Sequence, residues 1–331
     1  MSEDGAPAQG VSEDGAPAQD VSEDGAPAQG ASETSAPAPS QPAAVPDDAN
    51  DLRGYYFKQL VRRPLTVILV VGFALLVGVV LAAVIGPAIA GAGFVVAGLI
   101  GLGVVFAIAD SRAADAFFDV YAEKHDYVLG GRTSLPAATP LLRKGDDRYA
   151  ERTLTGELAP GVGGILALYT YEDETTDSDG NRQTNYYRYT LGLVEVPECV
   201  EHLPELYCQR KFGLRALEGL EDVFRRSKER VKLESEALDD KYEIFAGKKQ
   251  DAIWLRRLFA PSFIVWLTDS APGKFAFELV NGTLCCYVNG HKESAAELDV
   301  VAAATGAVAS RLREEALDTS PREGGGEPAA S

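Results

Sequence analysis

Residues 64–109 read PLTVILVVGFALLVGVVLAAVIGPAIAGAGFVVAGLIGLGVVFAIA, about 45 residues without one charged side chain. A helix needs ~20 apolar residues to cross the hydrocarbon core of a bilayer, so the run is long enough to cross twice. Gly86-Pro87 interrupts it near its middle, where proline donates no backbone N–H and obstructs a helix passing through it. The stretch therefore predicts a transmembrane helical hairpin with spans at about 65–85 and 88–109, within a segment that begins near residue 53.

The flanks set its orientation, because Lys and Arg resist translocation whereas Asp and Glu count for little. Lys58, Arg62 and Arg63 precede the first span, Arg112, Lys124 and Arg132 follow the second, and the turn from Ile85 to Gly93 carries no Lys or Arg. Both ends are expected in the cytoplasm, as a multi-pass protein of the bacterial inner (cell) membrane. Tyr55, Tyr56 and Phe57 suit the aromatic belt at that interface. Within the spans, small residues recur at i, i+4: Ala74, Gly78 and Ala82 on the first, and Gly93, Ala97 and Gly101 on the second. Helices in lipid associate by close approach of their backbones, so these stripes are expected packing faces within the hairpin or between copies. No Asp, Glu, Lys, Arg or His lies inside either span, which argues against a transport path through this pair alone.

Upstream, the octapeptide SEDGAPAQ recurs at Ser2, Ser12 and Ser22, with a degenerate copy at Ser32. The units offer no Leu, Ile, Phe or Trp to bury, so residues 1–52 are expected to be a disordered acidic tail, solubilising or, alternatively, a repeated docking or phosphorylation motif. It holds eleven Asp and Glu and no Lys or Arg, so of the net charge of -18 only about -7 belongs to the rest of the chain. That mild acidity, without clustered cations, excludes nucleic acid as the expected partner.

Beyond the hairpin the sequence predicts an α+β cytosolic domain, divided into a helix plus β-rich part at 110–213 and an α+β part at 214–317. Ala113, Phe117, Val120, Tyr121 and Lys124 continue helical spacing past Asp110. Strands are expected at Arg148–Leu158, Ile165–Tyr171 and Tyr186–Val196, with a polar loop Glu172–Asn185 between the last two. Further strands are expected at Arg230–Ser235 and Tyr242–Phe245, then a helix from Lys249 to Thr268 that Pro261 kinks or restarts. Asn281-Gly282 marks a type I′ hairpin joining Lys274–Val280 to Thr283–Val288. An amphipathic helix, Ser294–Leu317, closes the domain, with Thr305 as a small polar interruption of its apolar face, and residues 318–331 are expected to be a disordered tail.

The run RVKLESEALDDKYEIF, the following DAIWLRRLFAPSFIVWL and the hairpin FAFELVNGTLCCYV resemble an uncharacterised bacterial membrane-protein family, classed only as a domain of unknown function. Its members place two N-terminal transmembrane helices before such a cytosolic α+β domain. The resemblance spans about Phe57–Leu317, is carried by structural motifs, and implies no activity.

Candidate chemistry is sparse. Cys199, His202 and Cys208 match no standard zinc module, and Cys285 and Cys286, adjacent on a strand, must face opposite sides of a sheet. Gly161, Gly163 and Gly164 lack the Lys-Ser/Thr ending of a phosphate-binding loop. Glu234, Asp239 and Asp240 read as a solvated turn, and His125, His202 and His291 are scattered with no nucleophile elbow beside them. No catalytic residue, metal or cofactor is assigned. The expected role is a membrane-anchored interaction or scaffold module contacting the lipid bilayer and either a protein partner or a second copy of itself. Alternatives are an accessory subunit of a transporter or membrane complex, and a membrane-tethered enzyme. The orientation predicts that a reporter fused after Ser331 is active only in the cytoplasm; robust activity of a periplasm-dependent reporter there would exclude it.

Overall fold

The computed structural model describes residues 49–84, 86–176, 179–211, 228–248 and 250–319. The repeat segment 1–48 and residues 320–331 lie outside the described residues, and with them the expected disorder of both tails. The expected boundary at residue 52 moves, since helix α1 already runs from Ala49 to Arg62.

Helix α2, Pro64–Val84, follows after a single residue. Proline is tolerated there because its missing N–H belongs to a helix start, and the Arg63 carbonyl accepts the amides of Thr66 (3.1 Å) and Val67 (3.3 Å). Gly86 ends the hairpin's first arm with φ 123°, a left-handed conformation that costs a glycine little, and Pro87 opens helix α3, Pro87–Lys124. Both α2 and the apolar part of α3 are long and apolar enough to cross a membrane. Their large side chains point outward: Leu65, Leu76, Val79 and Leu99 are each more than 60% exposed, an apolar surface far larger than a water-soluble fold keeps.

Past Asp110, α3 changes environment. Ala113, Phe117, Phe118, Tyr121 and Ala122 are buried in the core of a nine-stranded antiparallel sheet. Its strands are β1 (Val128–Gly130), β2 (Asp147–Ala159), β3 (Val162–Thr176), β4 (Arg182–Glu195), β5 (Glu205–Arg210), β6 (Lys228–Val231), β7 (Tyr242–Gly247), β8 (Ala276–Val280) and β9 (Thr283–Asn289), in the order β1-β2-β3-β4-β9-β8-β5-β7-β6. One sheet thus runs across the expected division at 213/214, because the β8–β9 hairpin inserts between β4 and β5.

One face of the sheet carries the second half of α3 and the closing helix, which runs Ala295–Thr319. The helix expected at 249–268 begins instead at Ala252, where Asp251 caps its first amides, and stops at Leu258. A second short helix starts at Pro261, so of the two outcomes expected there the proline restarts the helix. The strand expected at Arg230–Ser235 stops at Val231: the Ser235 hydroxyl accepts the Leu238 amide (3.3 Å) and starts helix Glu236–Lys241. The loop expected at Glu172–Asn185 is mostly strand, since the β3–β4 ladder continues out to Thr176↔Arg182. The opposite face is covered by a strap of residues 131–146 with the one-turn helix Pro140–Arg143, hereafter α4.

Thr305 interrupts the apolar face of the closing helix for a packing reason. Its hydroxyl donates to the Val301 carbonyl (2.8 Å), and the side chain sits where a Cβ on Gly192 would stand, 2.3 Å from its Oγ1. Gly192→Ala is expected to destabilise the sheet domain by about 1–3 kcal/mol through this overlap, with Thr305→Ala in the same chain recovering part of the loss. Thermal unfolding of the detergent-solubilised chain checks this, and a neutral Gly192→Ala would refute it.

Candidate membrane junction and a buried carboxylate

The register of the hairpin follows from its contacts. Leu60 packs with Val105 and Ala109, joined by Tyr56, Phe57 and Val70, while a Cβ on Gly101 would meet Val70 at 2.9 Å and one on Gly93 would meet Leu81 at 2.0 Å. Helices α1 and α2 therefore form one nearly continuous arm running antiparallel to α3. Of the small residues expected to pack, Ala74 and Ala97 are buried, Gly78, Gly93 and Gly101 are half-buried, and Ala82 is exposed. Gly93 and Gly101 thus let the two arms of this hairpin approach closely.

The expected topology determinants, Lys58, Arg62 and Arg63 on the first arm and Arg112 on the second, are all exposed and flank the apolar spans in sequence as a basic collar, and Phe57 meets Phe106 edge to face. From this collar an apolar groove of about 420 Å³ runs along the hairpin, lined by Thr66, Leu69, Phe73, Ile100, Val104 and Ile108 among others, with Arg112 at its end.

Beyond the collar the arms are clamped to the sheet. Leu52 on α1 joins Phe117, Phe118 and Tyr121 in the core. Arg53 pairs with Asp110 of α3 and, at 2.6 Å, with Glu293 ahead of the closing helix. Asp115 pairs with Arg152 of β2, whose guanidinium lies over the Phe118 ring, and the Tyr121 hydroxyl donates to Asp299 of the closing helix at 2.7 Å. Half-exposed ion pairs contribute at most about 1 kcal/mol each, whereas a buried phenylalanine contributes roughly 1.5–3 kcal/mol. Burial holds the clamp and the charges align it.

The strapped face of the sheet holds a carboxylate with no access to water. Strand β8 alternates Ala276, Glu278 and Val280 toward this face, and the register sets Glu278 opposite Tyr207 of β5 and Cys285 of β9. Glu278 accepts the Leu141 amide at the start of α4 (3.0 Å) and the Tyr287 hydroxyl (3.2 Å), and Tyr169 donates to the Leu141 carbonyl (3.3 Å). Burial pushes its carboxyl up to about 7, against those hydrogen bonds and the nearby Arg143, which favour the charged form. Tyr287 and Cys285 are pushed well above their ordinary values, again mainly by burial.

A second polar cluster lies near the clamp. His291 Nε2 is 3.2 Å from the Tyr169 carbonyl and 3.3 Å from Thr170 Oγ1, and its Nδ1 is 3.8 Å from Glu151. Burial holds this imidazole below its ordinary value, with Glu151 opposing.

Other residues flagged in the sequence are not brought together. The Cys199 thiol donates to the Leu312 carbonyl (3.4 Å), His202 stacks on Trp254, and Cys208 is paired across the sheet with Ile244 and Phe277. Cys285 and Cys286 face opposite sides of the sheet, as a strand requires. Gly161 forms the β2–β3 turn, with Gly163 and Gly164 on β3. Glu234 lies just ahead of helix Glu236–Lys241, with Asp239 and Asp240 within it. Among the described residues no group of three or more His, Cys, Asp or Glu is arranged to hold a metal ion. Sequence reading overlooked Arg53, Asp115, Glu278, Glu293 and Asp299. For Glu278 the signal was present, one charge inside the otherwise apolar strand FAFELV.

No family model matches the chain, and no curated protein matches it. Among solved structures, the crystal structure of the mycobacterial trehalose monomycolate transport factor A, TtfA, is 9% identical, over 61% of this chain and 96% of that one, with a TM-score of 0.39. That degree of likeness fixes neither fold nor function. What the chain itself establishes is a sheet domain tethered by two helices suited to a membrane.

The raised Glu278 pKa implies a pH dependence of definite sign. The folded chain keeps a proton that the unfolded chain has lost, so stability falls as pH rises from about 4.5 to about 7, by an amount of order 3 kcal/mol. Glu278→Gln keeps the shape and removes the ionisation. Its melting temperature is expected to match the parent's near pH 5 and exceed it at pH 8; parallel pH profiles for the two proteins would contradict this.

Proposed function

We propose that the chain is a membrane-anchored interaction module of the bacterial inner membrane, with both ends of its hairpin in the cytoplasm, whose sheet domain recruits a protein partner by contact rather than by catalysis. The observation that carries this reading is the continuity of α3. One helix is exposed and apolar over its first half and buried in the sheet domain's core over its second. A domain joined this way is presented in a fixed orientation at the membrane surface, which suits a docking platform better than a flexible tether does.

A second reading, an accessory subunit of a transporter or other membrane complex, is favoured by a different set of glycines. Gly72, Gly91, Gly98 and Gly103 have open space where a Cβ would be, unlike Gly93 and Gly101, so the hairpin presents smooth patches outward to another protein's spans.

Purification of the full chain in gentle detergent, followed by identification of co-purifying proteins, tests both. A reproducible partner is expected; under the first reading it is retained by Gly98→Leu, and under the second it is lost. A monomer with no reproducible partner would overturn both readings.

A further inference from the structure

The collar has an unusual charge balance. Among the described residues, Lys58, Arg62, Arg63 and Arg112 take part in no ion pair, while the two α3 carboxylates closest to them in sequence, Asp110 and Asp115, are already engaged by Arg53 and Arg152. Among the described residues, these four cations flanking the apolar surface are therefore left without a protein counter-charge.

The groove starts at this collar and has the dimensions of one leaflet. Its wall on α3 extends from Ile100 to Arg112, about 18 Å at 1.5 Å per residue, against roughly 15 Å for half of a ~30 Å hydrocarbon core. The facing wall is Thr66, Leu69, Val70 and Phe73, one side of α2 at i, i+3, i+4, i+7, and Leu60 of α1 closes the collar end. Gly101 lies at its floor, where the lack of a side chain brings the backbone up against Val70. The lining is apolar apart from Thr66 and Arg112, so the groove accepts a hydrocarbon chain along its length and a negative charge at one end only.

We infer that this groove binds one anionic phospholipid of the surrounding bilayer, an acyl chain lying between α2 and α3 and the phosphate at Arg112. The inference rests on the membrane-spanning reading of the hairpin and is independent of any protein partner. An anionic headgroup supplies the missing counter-charge, each basic residue at such a surface contributing through the same attraction that draws polybasic segments to acidic lipids. A zwitterionic headgroup carries no net charge to offer.

The test uses the full chain in nanodiscs of phosphatidylglycerol mixed with phosphatidylcholine, extracted gently and weighed by native mass spectrometry. Phosphatidylglycerol is expected to be retained in preference to phosphatidylcholine. Arg112→Gln is expected to lower that retention about fivefold, the loss of one surface cation's contribution. Val104→Trp, at an exposed lining position, is expected to abolish retention by filling the groove while leaving the collar's charge intact. Equal retention of the two lipids, or Val104→Trp retaining phosphatidylglycerol as the parent does, would overturn the inference, the latter by showing that charge alone attracts the lipid. Alkaline carbonate extraction of each variant separates these outcomes from a failure of the membrane-spanning reading, which would release the protein into the soluble fraction.

Discussion

A helix of 38 residues is about 57 Å long, nearly twice the ~30 Å hydrocarbon thickness of a bilayer, and α3 spends that length in two solvents without a break. Inside hydrocarbon its amides must be satisfied within the helix. Beyond Asp110 the same hydrogen-bond ladder continues, so the orientation acquired in the membrane passes directly to Phe117, Phe118 and Tyr121. The sheet domain is built on these side chains, and α1 runs back along them to place Leu52 in the same core. Anchor and domain consequently share one structural element.

The sheet resolves a packing problem that follows from this arrangement. Its first face must take both α3 and the closing helix, and the close approach at Gly192 and Thr305, together with Gly306 against Ala159, makes room for the second. Among the described residues the other face has no long helix to cover it. There the 131–146 strap substitutes, and Glu278 fastens it by accepting the first free amide of α4, a hydrogen bond that offsets part of the penalty for burying a carboxyl.

Much of this was legible in the residues. The break at Gly86-Pro87, the i, i+4 small residues and the Asn281-Gly282 turn each carry their own local physics, and β2 and the closing helix lie close to the limits that their periodicity predicts. Strand β5 was obscured because its LYCQR core lies next to cysteine and histidine spacing that reads first as candidate chemistry. The extension of β3 and β4 was hidden by its composition, since Glu172–Thr176 is polar and is held in the sheet by cross-strand pairing rather than burial. The insertion of β8–β9 between β4 and β5, and the partnership of Arg53 with Glu293, 240 residues away, have no local signature. Long-range pairing of this kind is decided by which apolar faces find each other, and sequence periodicity names the faces without naming their partners.

Charged residues fall into two sets along the two arms. The carboxylates of α3 nearest the boundary are met by Arg53 of α1 and Arg152 of β2 beside buried aromatic rings, whereas Lys58, Arg62, Arg63 and Arg112 are exposed. Reversing the clamp carboxylates would set like charges against each other. Salt acts unequally on the two: exposed collar charges are screened over a Debye length of about 8 Å at physiological ionic strength, and partly buried pairs much less so. The attachment of the domain to its stalk therefore depends on burial, and the exposed collar charges are the ones that ionic conditions can tune.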